Sequence, residues 1–316
     1  MLFRSHYAAR ERHIEVVKVL LDRGATIDAR TAHEWTALHQ AVREGHIEVV
    51  KVLLDRGAAI DARTYDMWTA LHYSARVEVV QVLLDRGANI DAMINSQWTA
   101  LHYAAGKGNI EVVKVLLDRG ATININTTTN GNLTALHYAA CEGNIEVVKV
   151  LLDRGTAINI NTTTNENWTA LHFAASEGHI EVVKVLLDRG ASLNTTNNWG
   201  RTALHEACIC AAIWRPTAST IEVVKVLLER STISMYTIID VTDQSGDTAL
   251  HCATRGISHL CAPIVRLLLD HGANTNHRNT AGETALDIVR QFGWKGRLRM
   301  LKEYTRLLIR CYLPYN

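Results

Sequence analysis

The sequence predicts an all-α solenoid, built from stacked helix–turn–helix units with projecting β-turn loops. Two recurring phrases predict it. Thr-Ala-Leu-His returns with its threonine at Thr36, Thr69, Thr99, Thr134, Thr169, Thr202 and Thr248, and a variant Thr-Ala-Leu-Asp begins at Thr284. The intervals are 33, 30, 35, 35, 33, 46 and 36 residues, a period in the range of stacked repeat architectures. Ile-Glu-Val-Val-Lys-Val-Leu-Leu-Asp-Arg-Gly begins at Ile14, Ile47, Ile110, Ile145 and Ile180, with weaker copies near Val77, Ile221 and Ile264.

Each part of a unit has a physical reading. Thr36 is placed as a helix N-cap, its hydroxyl accepting from an early backbone amide. His39 stands three residues on, where a capping box carries Glu or Gln, and can bond back to the cap. A short first helix follows, and Gly45-His46 or Gly108-Asn109 turns the chain into the next. In the second helix Glu48, Lys51 and Asp55 make one narrow polar stripe. Ile47, Val49, Val50, Val52, Leu53 and Leu54 fill nearly everything else, so neighbouring units must cover this helix on both sides. Gly57 ends it at a position that needs a left-handed residue. The residues before the next threonine form a projecting loop.

This unit resembles the ankyrin repeat, whose period is 33 and whose marker is Thr-Pro-Leu-His-x-Ala. Counting a broken first copy, nine units are expected, at about 1–31, 32–64, 65–94, 95–129, 130–164, 165–197, 198–243, 244–279 and 280–316, in a single array. The resemblance implies a protein-binding scaffold without catalysis, whose loops and first helices line a concave face.

The chain departs from the family in several places. Alanine replaces the family proline at Ala37, Ala70, Ala100, Ala135, Ala170, Ala203, Ala249 and Ala285. The loop pattern Asp-x-x-Gly survives at Asp243–Gly246 and is approximated at Asn197–Gly200 and Asn279–Gly282. Earlier units put Glu34, Met67, Gln97, Asn132 and Asn167 at the glycine position, so irregular tips are expected in units two to six. Unit three lacks three residues between Ala75 and Val77. Unit seven carries eight extra residues around Cys208–Thr220, and Ser231–Val241 replaces the usual Gly-Ala turn. A bulged loop is expected there, with a bend or hinge near 208–245 as the alternative. The last unit, with Asp287 for His and basic residues from Lys295 to Arg310, reads as a C-terminal cap. The first unit has no polar cap, so it either frays or continues a longer array.

Aromatic residues fall in register. Trp35, Trp68, Trp98 and Trp168 directly precede the cap threonine, with Leu133 in their place in unit five. Tyr73, Tyr103, Tyr138 and Phe173 follow the motif histidine. These eight are the candidate partner-binding residues, a ladder of amphipathic rings suited to an extended protein surface. As the main contact surface, the ladder requires Trp98 and Trp168 to be largely exposed. The competing reading is that the rings pack between units, which duplication would also produce.

Other chemistry finds no footing. Lys plus Arg is 33 and Asp plus Glu 32, a net charge of +1, so nucleic acid is not an expected partner. No apolar run approaches a membrane span and the start is not a signal peptide. Six irregularly placed cysteines read as reduced thiols of an intracellular, cytoplasmic protein. The five Asn-x-Thr sequons from Asn126 to Asn194 are then unused. His205, Cys208, Cys210, His251 and Cys252 come from adjacent units, but their spacing matches no standard zinc pattern. No nucleophile, base or phosphate loop stands out. The expectation is a monomer without catalytic site, cofactor or metal, binding another protein. A second reading makes the tail from Tyr304 to Pro314, which loosely resembles the start of a SOCS box, the link of a substrate-recruiting adaptor to a ubiquitin ligase. A third takes the chain as a fragment of a longer ankyrin protein.

Overall fold

The computed structural model describes residues 2–121, 125–154, 158–214, 217–233, 238–255 and 261–291. These residues hold seventeen α-helices and no strand. They fall into two compact units, residues 1–162 and 163–316.

The first unit is five helix pairs. They are α1 (Leu2–Arg10) with α2 (Ile14–Asp22), α3 (Ala37–Arg43) with α4 (Ile47–Asp55), α5 (Ala70–Tyr73) with α6 (Val77–Asp85), α7 (Ala100–Gly106) with α8 (Ile110–Leu116), and α9 (Ala135–Cys141) with α10 (Ile145–Asp153). First helices pack on first helices and second on second: α1 on α3, α3 on α5, α2 on α4, α4 on α6. Val49, Val50 and Leu53 of α4 are therefore fully buried, as are Val79, Val80 and Leu83 of α6. The second unit repeats this stacking. It contains α11 (Ala170–Glu177), α12 (Ile180–Asp188), α13 (Ala203–Trp214), α14 (Ala218–Ile233), α15 (Ala249–Thr254), α16 (Ala262–Asp270) and α17 (Ala285–Gln291).

The cap residues act as their spacing predicts, and the histidine does more. At α5 the Thr69 amide donates to His72 Nδ1 at 3.2 Å and the two side chains lie 2.9 Å apart. An amide can only donate, so Nδ1 is the acceptor and the ring proton sits on Nε2. That Nε2 donates to the Trp98 carbonyl of the following repeat at 3.2 Å. The same bridge joins His102 to Thr127 at 2.9 Å, His137 to Thr162 at 3.0 Å, His172 to Arg201 at 3.1 Å and His251 to Glu283 at 3.2 Å. Burial holds His39, His72 and His102 at a pKa of about 4, against an ordinary 6.5. Asp287 keeps the cap, accepting from the Thr284 amide at 3.1 Å and hydroxyl at 2.8 Å.

The second helices are tied by a different ladder. Each closing arginine reaches the aspartate one repeat earlier: Arg56 to Asp22 at 2.6 Å, Arg86 to Asp55 at 2.7 Å, Arg119 to Asp85 at 2.7 Å, and Arg154 to Asp118. Arg230 pairs with Asp188 in the second unit. The polar stripe supplies its own short pairs, such as Lys51 to Glu48 at 3.0 Å. Gly57 (φ 84°) closes α4 in the left-handed conformation, and the Ala58 amide returns to the Leu53 carbonyl at 3.0 Å.

One expectation is corrected. The loop tips of units two to six are regular: Glu34, Met67, Gln97, Asn132 and Asn167 all take the left-handed conformation that Gly200, Gly246 and Gly282 take later. Hydrogen bonds over-determine it. The Thr64 amide donates to the Trp68 carbonyl and the Met67 amide to the Thr64 carbonyl, both at 2.9 Å, while the Trp68 amide meets the Thr64 hydroxyl at 3.2 Å. Threonine thus does at Thr31, Thr64, Thr129 and Thr164 what Asn197, Asp243 and Asn279 do later.

Of the bulge or hinge expected near 208–245, residues 215–216 and 234–237 lie outside the described residues, while the extra residues on either side are helical. They lengthen α13 to 12 residues and α14 to 16. The apolar run Cys208-Ile-Cys-Ala-Ala-Ile213 continues the helix, and Cys208, Ile209, Ala211 and Ala212 are buried.

The deletion in unit three cuts α5 to four residues. Elsewhere the residue opening the second helix reaches back to the preceding repeat: His46 to the Arg10 carbonyl at 2.8 Å, Asn144 to those of Ala105 and Gly106 at 2.9 Å. Arg76 takes over that role, donating to the Gly45 carbonyl at 3.1 Å. Its aliphatic stem lies where a Cβ on Gly45 would go, so a side chain at that position would have to displace it. The basic residues from Lys295 to Arg310 and the Tyr304–Pro314 tail lie outside the described residues.

Candidate functional site

Three structural columns repeat along the first unit: loop tips, the residue before each cap threonine, and the residue after each motif histidine. Each tryptophan is fixed by its own turn. The Trp35 amide bonds the Thr31 hydroxyl at 3.1 Å, and the Trp35 carbonyl accepts from the Thr31 amide at 2.9 Å. Its ring is thereby delivered beside the first helix of the next repeats.

The rings interlock across repeats. Tyr73 sits between two tryptophans, its centroid 4.6 Å from Trp35 and 4.9 Å from Trp68, stacked on the latter at 30°. Trp68 meets Tyr103 edge-on at 5.2 Å, and Trp98 meets Tyr138 at 4.3 Å. These are favourable offset and edge geometries. Burial raises the Tyr73 hydroxyl, and pushes Tyr138 up to about 12, against Thr129 hydrogen bonding. Trp35, Trp68, Trp98, Tyr73, Tyr103 and Tyr138 are half-buried. In the second unit Trp168 and Phe173 lie 5.0 Å apart and are 9% and 5% exposed.

The large exposure required of Trp98 and Trp168 is thus absent: one is half-buried and the other buried. The reason is geometric. In the first unit the ring after one histidine packs on the tryptophan of another repeat, as Tyr138 does on Trp98, while Phe173 packs on Trp168 within one repeat. In the first unit the six rings keep partial exposure, and cations lie over two of them. Arg43 lies 5.4 Å from the Trp35 ring centre and Lys107 5.7 Å from that of Tyr103.

The column reading missed Tyr65. It projects from the tip Thr64-Tyr-Asp-Met67, is 75% exposed, and its amide donates to the His33 carbonyl of the preceding tip at 3.3 Å. It stands in no repeated column, so periodicity cannot flag it. Its place in a turn, beside Asp66, is the signal that could have.

Among the described residues no group of three or more His, Cys, Asp or Glu side chains could hold a metal ion. Burial raises the thiols of Cys208, Cys210, Cys252 and Cys261, which makes them poor nucleophiles. No described helix is long and apolar enough to cross a membrane.

Comparison with known proteins agrees with this architecture. Ankyrin repeat models match residues 5–94, 59–127, 91–162 and 217–302 (described as ankyrin repeats, three copies) and 151–207 (ankyrin repeats, many copies). The crystal structure of the human ASB11 ankyrin repeat domain is similar at a TM-score of 0.61 and 27% identity, over 72% of this chain and 96% of that one. No curated protein matches the chain. Ankyrin repeats are protein–protein interaction modules and the fold is a non-catalytic one. With matches along most of its length, and with the Thr–His caps and paired helices behind them, the chain belongs to the ankyrin repeat family.

Proposed function

We propose that the chain is a protein-binding scaffold that acts without catalysis, as an intracellular monomer, and that grips its partner on the concave face made by loop tips and first helices. The observation that carries this is the surface of the first unit. There Trp35, Trp68, Trp98, Tyr73, Tyr103 and Tyr138 are half-buried, with Arg43 and Lys107 over two of the rings and Tyr65 75% exposed. Amphipathic rings flanked by cations suit a protein surface with apolar side chains and carboxylates. Trp168 and Phe173 have little surface to offer, and in this reading they support the fold of the second unit.

The test is site-specific photo-crosslinking in cells of the source organism. A photoreactive residue at position 65 or 40 should trap a defined partner. The same residue at position 51, on the second helix, should not. The double variant Tyr65→Ala, Arg43→Ala should lose the adduct while keeping its circular dichroism spectrum. Adducts of equal yield from positions 51 and 65 would refute the concave-face assignment.

A further inference from the structure

The chain holds one Asn-Gly pair, Asn130-Gly131, at the loop tip of unit five. The tip is a turn closed by the Asn132 amide on the Thr129 carbonyl at 2.8 Å. Asn130 is exposed and Gly131 half-buried. Glycine leaves the peptide nitrogen that follows Asn130 without a side chain beside it. A Cβ at Gly131 would lie 2.7 Å from Leu133 Cδ1, the free end of a side chain.

The residue that opens the turn decides whether that nitrogen is engaged. In the tips opened by Asn197, Asp243 and Asn279, the opening side chain accepts from the amide two residues on: Trp199 at 3.0 Å, Ser245 at 2.8 Å and Ala281 at 3.0 Å. Thr129 opens the tip of unit five, and its hydroxyl accepts from the Leu133 amide at 3.3 Å. Among the described residues the Gly131 amide donates no hydrogen bond. Asn130 itself ties this tip to the preceding one. Its Nδ2 donates to the Asn95 carbonyl at 3.2 Å, and its backbone amide to the Ser96 carbonyl at 3.1 Å.

We propose that Asn130 is a site of spontaneous deamidation in the folded chain, which cuts the tie to Asn95 and leaves a carboxylate at the tip. Only one exposed side chain has to swing off the Asn95 carbonyl for the reaction to begin, a local motion that leaves the helices in place. The Gly131 nitrogen gives its proton to hydroxide and attacks Asn130 Cγ. The new C–N bond closes a five-membered succinimide, and the side-chain nitrogen takes a proton from water and leaves as ammonia. A second water opens the ring at one carbonyl or the other, giving aspartate or isoaspartate. Asparagine and water are consumed, ammonia is released, and nothing is oxidised or reduced. Either product replaces the Nδ2 donor with a carboxylate oxygen, an acceptor that cannot bond the Asn95 carbonyl. Isoaspartate also inserts a methylene into the backbone of the Thr129–Asn132 turn. The tip is thus altered by age alone, whatever the partner of the chain.

The test is to age the intact chain in mildly alkaline buffer and follow conversion by peptide-mapping mass spectrometry, with isoaspartate-specific methyl transfer to separate the two products. Asn95, Asn165 and Asn198 hold the same place in their own tips, before Ser96, Glu166 and Trp199, and serve as internal controls. Asn130 should convert first. Its rate in the folded chain should stay within about tenfold of that in urea, whereas a reaction that needed global unfolding would be slower by more than about a thousandfold. Gly131→Ala should slow it severalfold, and circular dichroism checks that this variant stays folded. After conversion the Asn130 amide should exchange its hydrogen faster, because its tip is no longer held to Asn95. The variant Asn130→Asp, which carries the charge without the longer backbone, should reproduce part of that increase. Earlier conversion at a control asparagine, a folded rate suppressed as for global unfolding, or a rate indifferent to Gly131→Ala would overturn the site. Unchanged exchange at Asn130 in the converted chain would overturn the loss of the tie.

Discussion

His72 and Trp98 belong to different repeats and are joined by a single hydrogen bond, 3.2 Å from the imidazole Nε2 to the tryptophan carbonyl. The other ring nitrogen closes the cap on Thr69. One side chain, 2% exposed, thus serves local and long-range structure together. Replacing it by alanine leaves the buried Thr69 amide without an acceptor, at about 1–3 kcal/mol, and takes one of two donors from the Trp98 carbonyl, which keeps the Ile94 amide at 3.1 Å. His72→Ala should lower the urea midpoint strongly. His72→Gln, which keeps an acceptor and a donor, should recover part of that loss.

Acid should unfold the protein through these same rings. His39, His72 and His102 titrate near 4 when folded and near 6.5 when unfolded. The unfolded state then binds more protons as pH falls below 6.5, so stability drops through the window from 6.5 to 4 and is unaffected above it. Each ring carries about 3 kcal/mol across that window. Arg30 near His39 and Arg63 near His72 add to the lowering, and Asp28 opposes it. Urea midpoints measured at pH 7.5, 6 and 5 should fall steeply at the last two. A flat profile would exclude the histidines as its cause.

Gln97 is exposed and left-handed, with φ 62°. Glycine there removes a steric cost of about 1 kcal/mol and loses no buried side chain. Gln97→Gly should raise the thermal midpoint. Asn132→Gly should raise it less, because asparagine already tolerates this conformation.

Ala37 opens α3 behind Thr36, whose φ and ψ are −97° and 169°. That extended conformation is the one a following proline requires. No hydrogen bond from the Ala37 amide is among those described. Ala37→Pro should therefore stabilise by about 0.4–1 kcal/mol, through the unfolded chain. Calorimetry on the single variant would measure it, and destabilisation would mean a hidden clash.

The arginine–aspartate ladder should matter little per rung. The Arg86 and Asp55 side chains are 42% and 58% exposed at a separation of 2.7 Å. Arg86→Ala should cost about 0.2–1 kcal/mol, less in high salt. A loss comparable with that of His72→Ala would show the ladder to be cooperative.

Much of this architecture is legible in the residues. Thr36, His39 and Gly57 announce cap, bridge and stop by type and spacing alone. The regular left-handed tips were not legible, because propensity argues against Met67 and Gln97 while the turn bonds that hold them are set by the fold. The role of Arg76 was not legible either, since nothing in a deletion says what fills it. For the candidate site, alignment of the rings was plain, but their interlocking was not. Tyr73 fits between Trp35 and Trp68 through the stacking distance, which no single repeat encodes. The arginine–aspartate ladder escaped notice for the same reason, its partners lying about one period apart in sequence.

The shortened α5 has a consequence for assembly of the chain. A row of interchangeable modules can dock out of step, because Val49 and Leu53 would find an equally good bed one place along. The four-residue helix and its Arg76 prop have no equivalent elsewhere in the first unit. Misaligned docking there would press a full-length first helix where α5 leaves no turn, or leave Arg76 without the Gly45 carbonyl. The defect thus acts as an index mark, lifting the translational degeneracy of an otherwise uniform chain and giving each module one address.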